Sequence, residues 1–329
     1  MINITQNILY SPMFKRLKRG FKRVAIFILI LIGIAVTIMT IINLRSFFNK
    51  KEVVNIIIDS DTGSEAGSLF AIVRALIAPE LNVICITSAQ WQTHPNAPES
   101  SVRESQSLND SIIKLMRLNK IPTFPGAEDK LSYWSDPKPQ SSEASAFIIT
   151  EALKMTEEEK LNIVILGSMT NVATAVMTDP SISPRIRVYC MGAKFDTKTD
   201  VWNKNEFNIR NDLDAFDLLL NTLDLEMHIL TSTLANDLKL SKDKIFRQMQ
   251  GNGGVWALLL EKWREQSNES QELIVQDLAL IEAIINPQFT KSKQVITPPE
   301  NVRRNINVYT YLNIDQMLYS FENAVRKAM

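Results

Sequence analysis

Residues 53–76 read VVNIIIDSDTGSEAGSLFAIVRAL. The opening run is β-branched apart from Asn55 and shows no alternation, the pattern of a strand buried on both faces. It ends in Asp59, Asp61 and Glu65, and residues 68–77 then follow a helical pattern that stops at Pro79. The same strand–turn–helix order recurs downstream. Residues 82–88, 161–167, 185–191, 227–232 and 305–312 read as strands. Helical patterns cover 101–118, a stretch ending near Asp179-Pro180, 241–249, 254–265, 273–285 and the C-terminus. This alternation predicts an α/β fold, an open and mostly parallel sheet with helices on both faces, whose ligands bind beyond the carboxyl ends of the strands. The irregular stretches 89–100, 121–142 and 192–205 are long enough to form lids over such a site.

Upstream, residues 24–42 read VAIFILILIGIAVTIMTII, nineteen positions without a charge. At about 1.5 Å per residue a helix of that length nearly spans a bilayer core. Residues 1–23 carry six Lys and Arg and no acid. Basic residues ahead of an apolar span predict a cytoplasmic tail and a domain on the far side of the membrane. The expected organisation is a basic tail at 1–23, a transmembrane signal anchor at 24–44, a linker at 45–52 and one domain at 53–329, extracytoplasmic. A cleaved signal peptide is the rival reading, though its apolar region is normally shorter and ends in small residues.

The chain has 329 residues, 45% of them apolar, enough for a large core. Its 36 basic and 36 acidic side chains cancel, but nine of the basic ones precede residue 52 and no acid does. Residues 52–329 therefore hold 27 bases against 36 acids, a net charge of −9. That excludes a polyanion binder, so no nucleic-acid partner is expected. Two cysteines exclude a disulfide scaffold, and two distant histidines exclude a multi-histidine metal site. His94 reads as a loop hydrogen-bonder and His228 as structural. Homo-oligomer formation is compatible with the sequence but not dictated by it.

Asp59, Asp61 and Glu65 at the end of a buried strand repel one another unless a cation joins them, and Ca²⁺ suits an all-oxygen site. In the bland alternative, Thr62 caps the next helix and Glu65 completes a capping box, which leaves Asp61 unexplained.

Residues 56–76 resemble the opening signature of the inosine–uridine-preferring nucleoside hydrolases, D-x-D-x-G followed by an Asp pair entering a helix. LGSMTNVATAV (166–176), MGAKF (191–195), NEFNIRNDLDAF (205–216) and QDLALIEAIINP (276–287) are similar to four further motifs of that family, in its order. The resemblance implies cleavage of an N-glycosidic bond. A Ca²⁺ ion would hold the ribose diol and an attacking water, and Asp61 would be both metal ligand and general base. The Leu166 carbonyl would also bind the ion. Asp277 would bind the ion and a ribose hydroxyl, Glu206 and Asn208 would grip the far side of the ribose, and Met191 would line the pocket. Glu206 and Asn208, two apart, would point the same way in an extended segment. Asn203 and Gln92 are looser candidates for ribose or base contact, and Trp91 for stacking on the base.

Departures from the family pattern matter as much. Gly67 and Ser68 stand where the family has its Asp pair, which leaves Ser68 as a neutral metal ligand and Glu65 to compensate. Gln276 stands where the family has a His, and glutamine is no general acid. The expected function is a nucleoside hydrolase-like enzyme. The alternative is a relative that binds a nucleoside or sugar without turnover, and a purely structural domain on an anchor comes third.

Overall fold

The computed structural model describes residues 31–34, 36–40, 53–131, 137–266 and 270–329. The chain divides into two compact units, Met1–Glu52 and Val53–Met329. In the first, residues 31–34 and 36–40 are helical and exposed, with the Thr37 and Thr40 hydroxyls donating to the Gly33 and Val36 carbonyls. The basic tail, the linker and the rest of the expected anchor lie outside the described residues. Among those described, no helix is long and apolar enough to cross a membrane.

The second unit opens with strand β1 (Val54–Ser60) and helix α1 (Ala66–Leu76), as its sequence predicts. Next come β2 (Leu81–Ser88), α2 (Ser101–Leu115), β3 (Thr123–Pro125) and α3 (Glu143–Ala152). β4 (Leu161–Ile165), α4 (Thr170–Thr178) and β5 (Ile186–Met191) lead to a hairpin of β6 (Lys194–Asp196) and β7 (Val201–Asn203). Two short helices, α5 (Phe207–Asn211) and α6 (Leu213–Asn221), precede β8 (Glu226–Leu230) and α7 (Ser232–Ala235). The chain then forms β9 (Lys239–Ser241), α8 (Lys242–Met249), α9 (Val255–Gln266), β10 (Glu272–Ile274) and α10 (Gln276–Ile285). It closes with β11 (Thr290–Ile296), β12 (Asn305–Leu312) and α11 (Ile314–Ala328).

Among the described residues, eight strands form one sheet in the order β11-β12-β8-β5-β4-β1-β2-β3. Every neighbouring pair is parallel except β11 with β12. β1 lies near the middle, between β2 and β4, which is why Ile56, Ile57 and Ile58 are all fully buried. Ile56 and Ile58 pack with α1, α9, α10 and α11 on one face, and Ile57 packs with α3, α4 and α6 on the other. An unalternating apolar strand is thus satisfied by a helix layer on each side.

The sequence reading misses β3, α3, α5, α6, α7, β9 and β11, and it takes the end of β10 into the helix that follows. β3 has only three residues, and β11 reads TKSKQVI, an edge strand whose mostly exposed positions carry no hydrophobic period. Part of 192–205, read as irregular, is the β6–β7 hairpin.

One buried ion pair pins the helices behind β1. Arg74 on α1 donates through Nε to Glu282 Oε1 on α10 at 2.6 Å, and Asn286 Nδ2 donates to Glu282 Oε2 at 2.9 Å. Both partners are nearly inaccessible, so removing one strands the other charge in the core. Arg74→Met should lower stability by about 3–5 kcal/mol, and adding Glu282→Leu should restore most of it. Urea midpoints of the two variants check this. A double variant no more stable than the single would mean the pair is not an isolated unit.

Candidate active site

Acidic side chains from distant stretches meet beyond the carboxyl ends of β1, β4 and β5. Asp61 follows β1 and is buried against Gly167, just after β4. A β-carbon on residue 167 would fall 2.8 Å from Asp61, so a side chain there would displace the carboxylate. Asp277 opens α10 and accepts a 2.6 Å hydrogen bond from Ser68 Oγ on α1.

Glu65 is the N-cap of α1 in extended conformation, but its side chain makes no capping bond. Thr62 donates to Asn109 Oδ1 at 2.7 Å instead of capping the helix, so the capping-box alternative fails. Glu65 Oε1 lies 3.1 Å from the point where a β-carbon on residue 67 would stand. Its carboxylate therefore borders the space that a side chain at Gly67 would take. The Ala66 N–H is satisfied from α9, by Gln266 Oε1 at 2.5 Å.

Glu206 caps α5 by accepting from the Ile209 N–H at 3.2 Å. Asn208 lies inside that helix, so the two do not share a strand face as the two-residue spacing predicts. Both are buried and border the same cavity because the chain turns from an extended cap into a helix between them. The Asn208 amide donates to the carbonyls of Leu166 (3.1 Å) and Met191 (3.2 Å), clamping the ends of β4 and β5.

Asp61, Glu65, Leu166, Met191, Glu206, Asn208 and Asp277 border one cavity of about 370 Å³. Ser68 is buried and reaches the site through Asp277. Three other candidates lie elsewhere. Trp91 is buried, its indole N–H donating to Ser101 O (3.1 Å) and Ser105 Oγ (3.2 Å), and it borders a neighbouring cavity. Gln92 is exposed and donates to Glu128 O at 2.7 Å. Asn203, on β7, borders a second cavity beside the hairpin. Sequence reasoning did not place His94, Phe207, Asn236 or Gln266 in the wall, though all four border the site. The length of the 89–100 stretch was a signal for His94. Phe207 lay inside the NEFNIRNDLDAF motif, and Asn236 and Gln266 carried no signal.

Burial pushes the Asp61 and Asp277 carboxyls well above the usual carboxylate range. The charges of Asp277 and Glu65 add to the push on Asp61, and those of Glu65 and Glu206 to that on Asp277, which Ser68 partly relieves. Burial, reinforced by Glu206, lifts Glu65 to about 7. Glu206 is raised by burial and drawn back by the N–H groups at the start of α5. Asp59 reaches about 6 through burial, tempered by hydrogen bonds from Thr87 (2.6 Å) and Asn171 (2.9 Å). Asp61 Oδ2 and Asp277 Oδ1 are buried with no hydrogen-bond partner among the described residues.

Bare carboxylate oxygens beside a backbone carbonyl are the donors a hard cation takes. Among the described residues, however, no group of three or more His, Cys, Asp or Glu side chains is placed to hold a metal ion. Gly67 and Ser68 explain the shortfall, because neither supplies a carboxylate. The donor set of Asp61, Asp277 and the Leu166 carbonyl fits Ca²⁺ in kind, with less negative charge than the sequence resemblance implies.

Comparison with known proteins bears on what this cavity does. The profile of the family described as Inosine-uridine preferring nucleoside hydrolase matches residues 56–316. "Probable uridine nucleosidase 2" of Arabidopsis thaliana is 26% identical over 181 residues, 50% of this chain and 55% of that protein, so the match spans about half the relative's length. The plant nucleoside hydrolase PpNRh1 superposes with a TM-score of 0.65 at 14% identity, over 83% of this chain and 98% of that one. A purine-preferring ribonucleoside hydrolase from Gardnerella vaginalis gives 0.64 at 18% identity, over 83% and 98%. At these identities the superpositions establish the shared fold.

The direction of the Glu65 shift sets a pH dependence. A carboxyl raised in the folded state favours the fold while protonated, below its ordinary 4.5, and that contribution is lost as pH rises through about 7. With divalent ions chelated, the urea midpoint should fall between pH 5 and 8, and Glu65→Gln should remove part of that slope. An identical slope in the variant would mean the carboxylate is hydrated in the folded protein.

Proposed function

Because the chain belongs to the inosine-uridine preferring nucleoside hydrolase family, we propose that its acidic cavity hydrolyses the N-glycosidic bond of a ribonucleoside. The observation that carries this reading is the pair of bare, buried oxygens, Asp61 Oδ2 and Asp277 Oδ1, on two acids that border one cavity. Leaving two carboxylate oxygens unsatisfied in a core is costly, and a ligand rich in hydroxyl donors relieves it. A ribose offers such hydroxyls.

Asp61 then accepts a proton from the water that attacks C1′. Asp277 and Glu206 accept hydrogen bonds from sugar hydroxyls and orient the ring. Positive charge grows on the sugar as the C1′–N bond breaks, and the surrounding carboxylates stabilise it. Glu65, bordering the space beside Gly67, adds negative charge on the side where the family's Asp pair is missing. Asp61, Asp277 and the Leu166 carbonyl would hold a Ca²⁺ ion, with Ser68 and Glu65 beside them. When bound, the ion offsets the clustered negative charge and acidifies an adjacent water.

A second reading is binding of a nucleoside or sugar without turnover. It is favoured by Gln276, which cannot act as an acid and whose amide is engaged with Asn236 Oδ1 at 2.5 Å. The basic run followed by nineteen uncharged residues supports placing the domain outside the cytoplasm on an N-terminal anchor.

Ribose release from a panel of purine and pyrimidine nucleosides, measured on the full chain with and without added Ca²⁺, tests the proposal. Turnover is expected, with Asp61→Asn lowering kcat about 10³-fold. Nucleoside binding with no release from any substrate would replace hydrolysis with the binding reading. Ca²⁺ should bind weakly, with Kd of roughly 10⁻⁴ M or above, as for sites with few charged ligands.

A further inference from the structure

Besides its acids the cavity wall carries two cations, Lys194 and Arg210, and a set of neutral side chains. His94 and Phe207 border it together with Asn236, Gln266 and Gln276. If Asp61, Asp277 and Glu206 hold the sugar, the remaining wall is left to the base. The departing base needs its developing negative charge stabilised, and one amide N–H of Gln276 is engaged by Asn236. Gln266 is held through its oxygen alone, accepting from the Ala66 N–H, Lys194 is exposed, and Arg210 donates to Asn205 Oδ1 at 2.9 Å.

His94 is held differently. The Asn96 N–H donates to His94 Nδ1 at 3.1 Å, which makes Nδ1 the acceptor and puts the ring proton on Nε2. Nε2 has no hydrogen-bond partner among the described residues. The ring stands edge-on between Trp91 (centroids 5.6 Å, 71°) and Phe207 (5.8 Å, 85°), which restricts its rotation. Its loop is tied to α5, the helix that carries Asn208. The Thr93 N–H and hydroxyl both donate to Asn211 Oδ1, at 3.0 and 2.6 Å, and Gln90 Nε2 donates to Asn211 O at 3.0 Å. The other histidine, His228, is paired with Glu226 in β8 and lies outside the cavity wall.

We propose that His94 is the leaving-group contact of this site, donating a hydrogen bond through Nε2–H to the departing nucleobase. The C1′–N bond breaks with its electron pair going to the base nitrogen, and the water oxygen bonds to C1′. The water's proton passes to Asp61 and then to solvent. The base takes up its proton from solvent, and the Nε2 proton stays on the imidazole throughout. A fixed neutral donor aimed at developing charge stabilises it without reorganising.

This assignment rests on the hydrolase reading, and the test separates the two. On the full chain, kcat is measured for inosine and for p-nitrophenyl β-D-ribofuranoside, whose leaving group stabilises its own charge. His94→Phe keeps a ring between Trp91 and Phe207 but has no donor, and His94→Gln restores an N–H near the Nε2 position. His94→Phe should lose about 10²-fold on inosine and stay within about threefold of wild type on the nitrophenyl riboside, with His94→Gln recovering about tenfold on inosine. Equal losses on both substrates, or no loss on inosine, would overturn the assignment. If wild type cleaves neither substrate, the hydrolase reading falls and calorimetry decides on His94. Weaker inosine binding with unchanged ribose binding in His94→Phe would then uphold the contact with the base, and unchanged inosine binding would overturn it.

Discussion

Repulsion among carboxylates gathered at one cavity is the constraint on which this domain is arranged. Asp61, Glu65, Glu206 and Asp277 arrive from three separate parts of the chain and raise one another's proton affinity. None of the interactions that shift them involves a lysine or arginine. The fold bears this strain because the backbone beneath the acids is held on all sides. β1 is the fifth-neighbour strand of β11 and lies between β2 and β4, Gly167 leaves room for Asp61, and Asn208 ties β4 to β5. A site this unfavourable when empty of ligand has most to gain from a polyhydroxylated or cationic guest.

A second layer of buried polar groups keeps the acids in place without touching the cavity. Asn171 donates to Asp59 Oδ1 and Ser88 O and accepts from the Ala127 N–H, joining β1, β2 and the segment after β3. Asp212 accepts from Thr170 Oγ1 and from the N–H groups of Leu131 and Ala215. Both residues fall within the motifs that carry the family resemblance, yet their work here is to fasten loops to the sheet. A motif match therefore mixes residues that meet the ligand with residues that only support them, and geometry alone sorts the two.

The parallel core was legible because its strands are long, apolar and unalternating, as 53–58 and 161–167 are. The edges were not, since β3 is too short for a period and β11 is too polar. The acids of the site could be named from their order along the chain, but their partners could not. The Ser68–Asp277 hydrogen bond joins residues 209 positions apart, and nothing local to either marks it. Glu65 reads as part of a capping box, but Thr62 is bonded to Asn109 and Glu65 makes no capping bond. Asn208 has the position of a substrate contact, but its N–H donors are spent on backbone carbonyls, so only its oxygen side is left for a ligand.

Gly67, Ser68 and Gln276 supply neither a carboxylate nor an acid to the site, while Asp61 and Asp277 are both present. A loss confined to those positions would leave Asp61 and Asp277 repelling each other with nothing gained. Two features argue against simple decay. Glu65 places a carboxylate beside the space at residue 67, and His94 offers a fixed donor where the glutamine cannot be an acid. Each comes from a loop rather than from the helix that carries the family's residue, and loops change sequence without repacking the core. Glu65 and His94 thus bring a charge and a donor to the cavity from loops that the sheet beneath them holds in place.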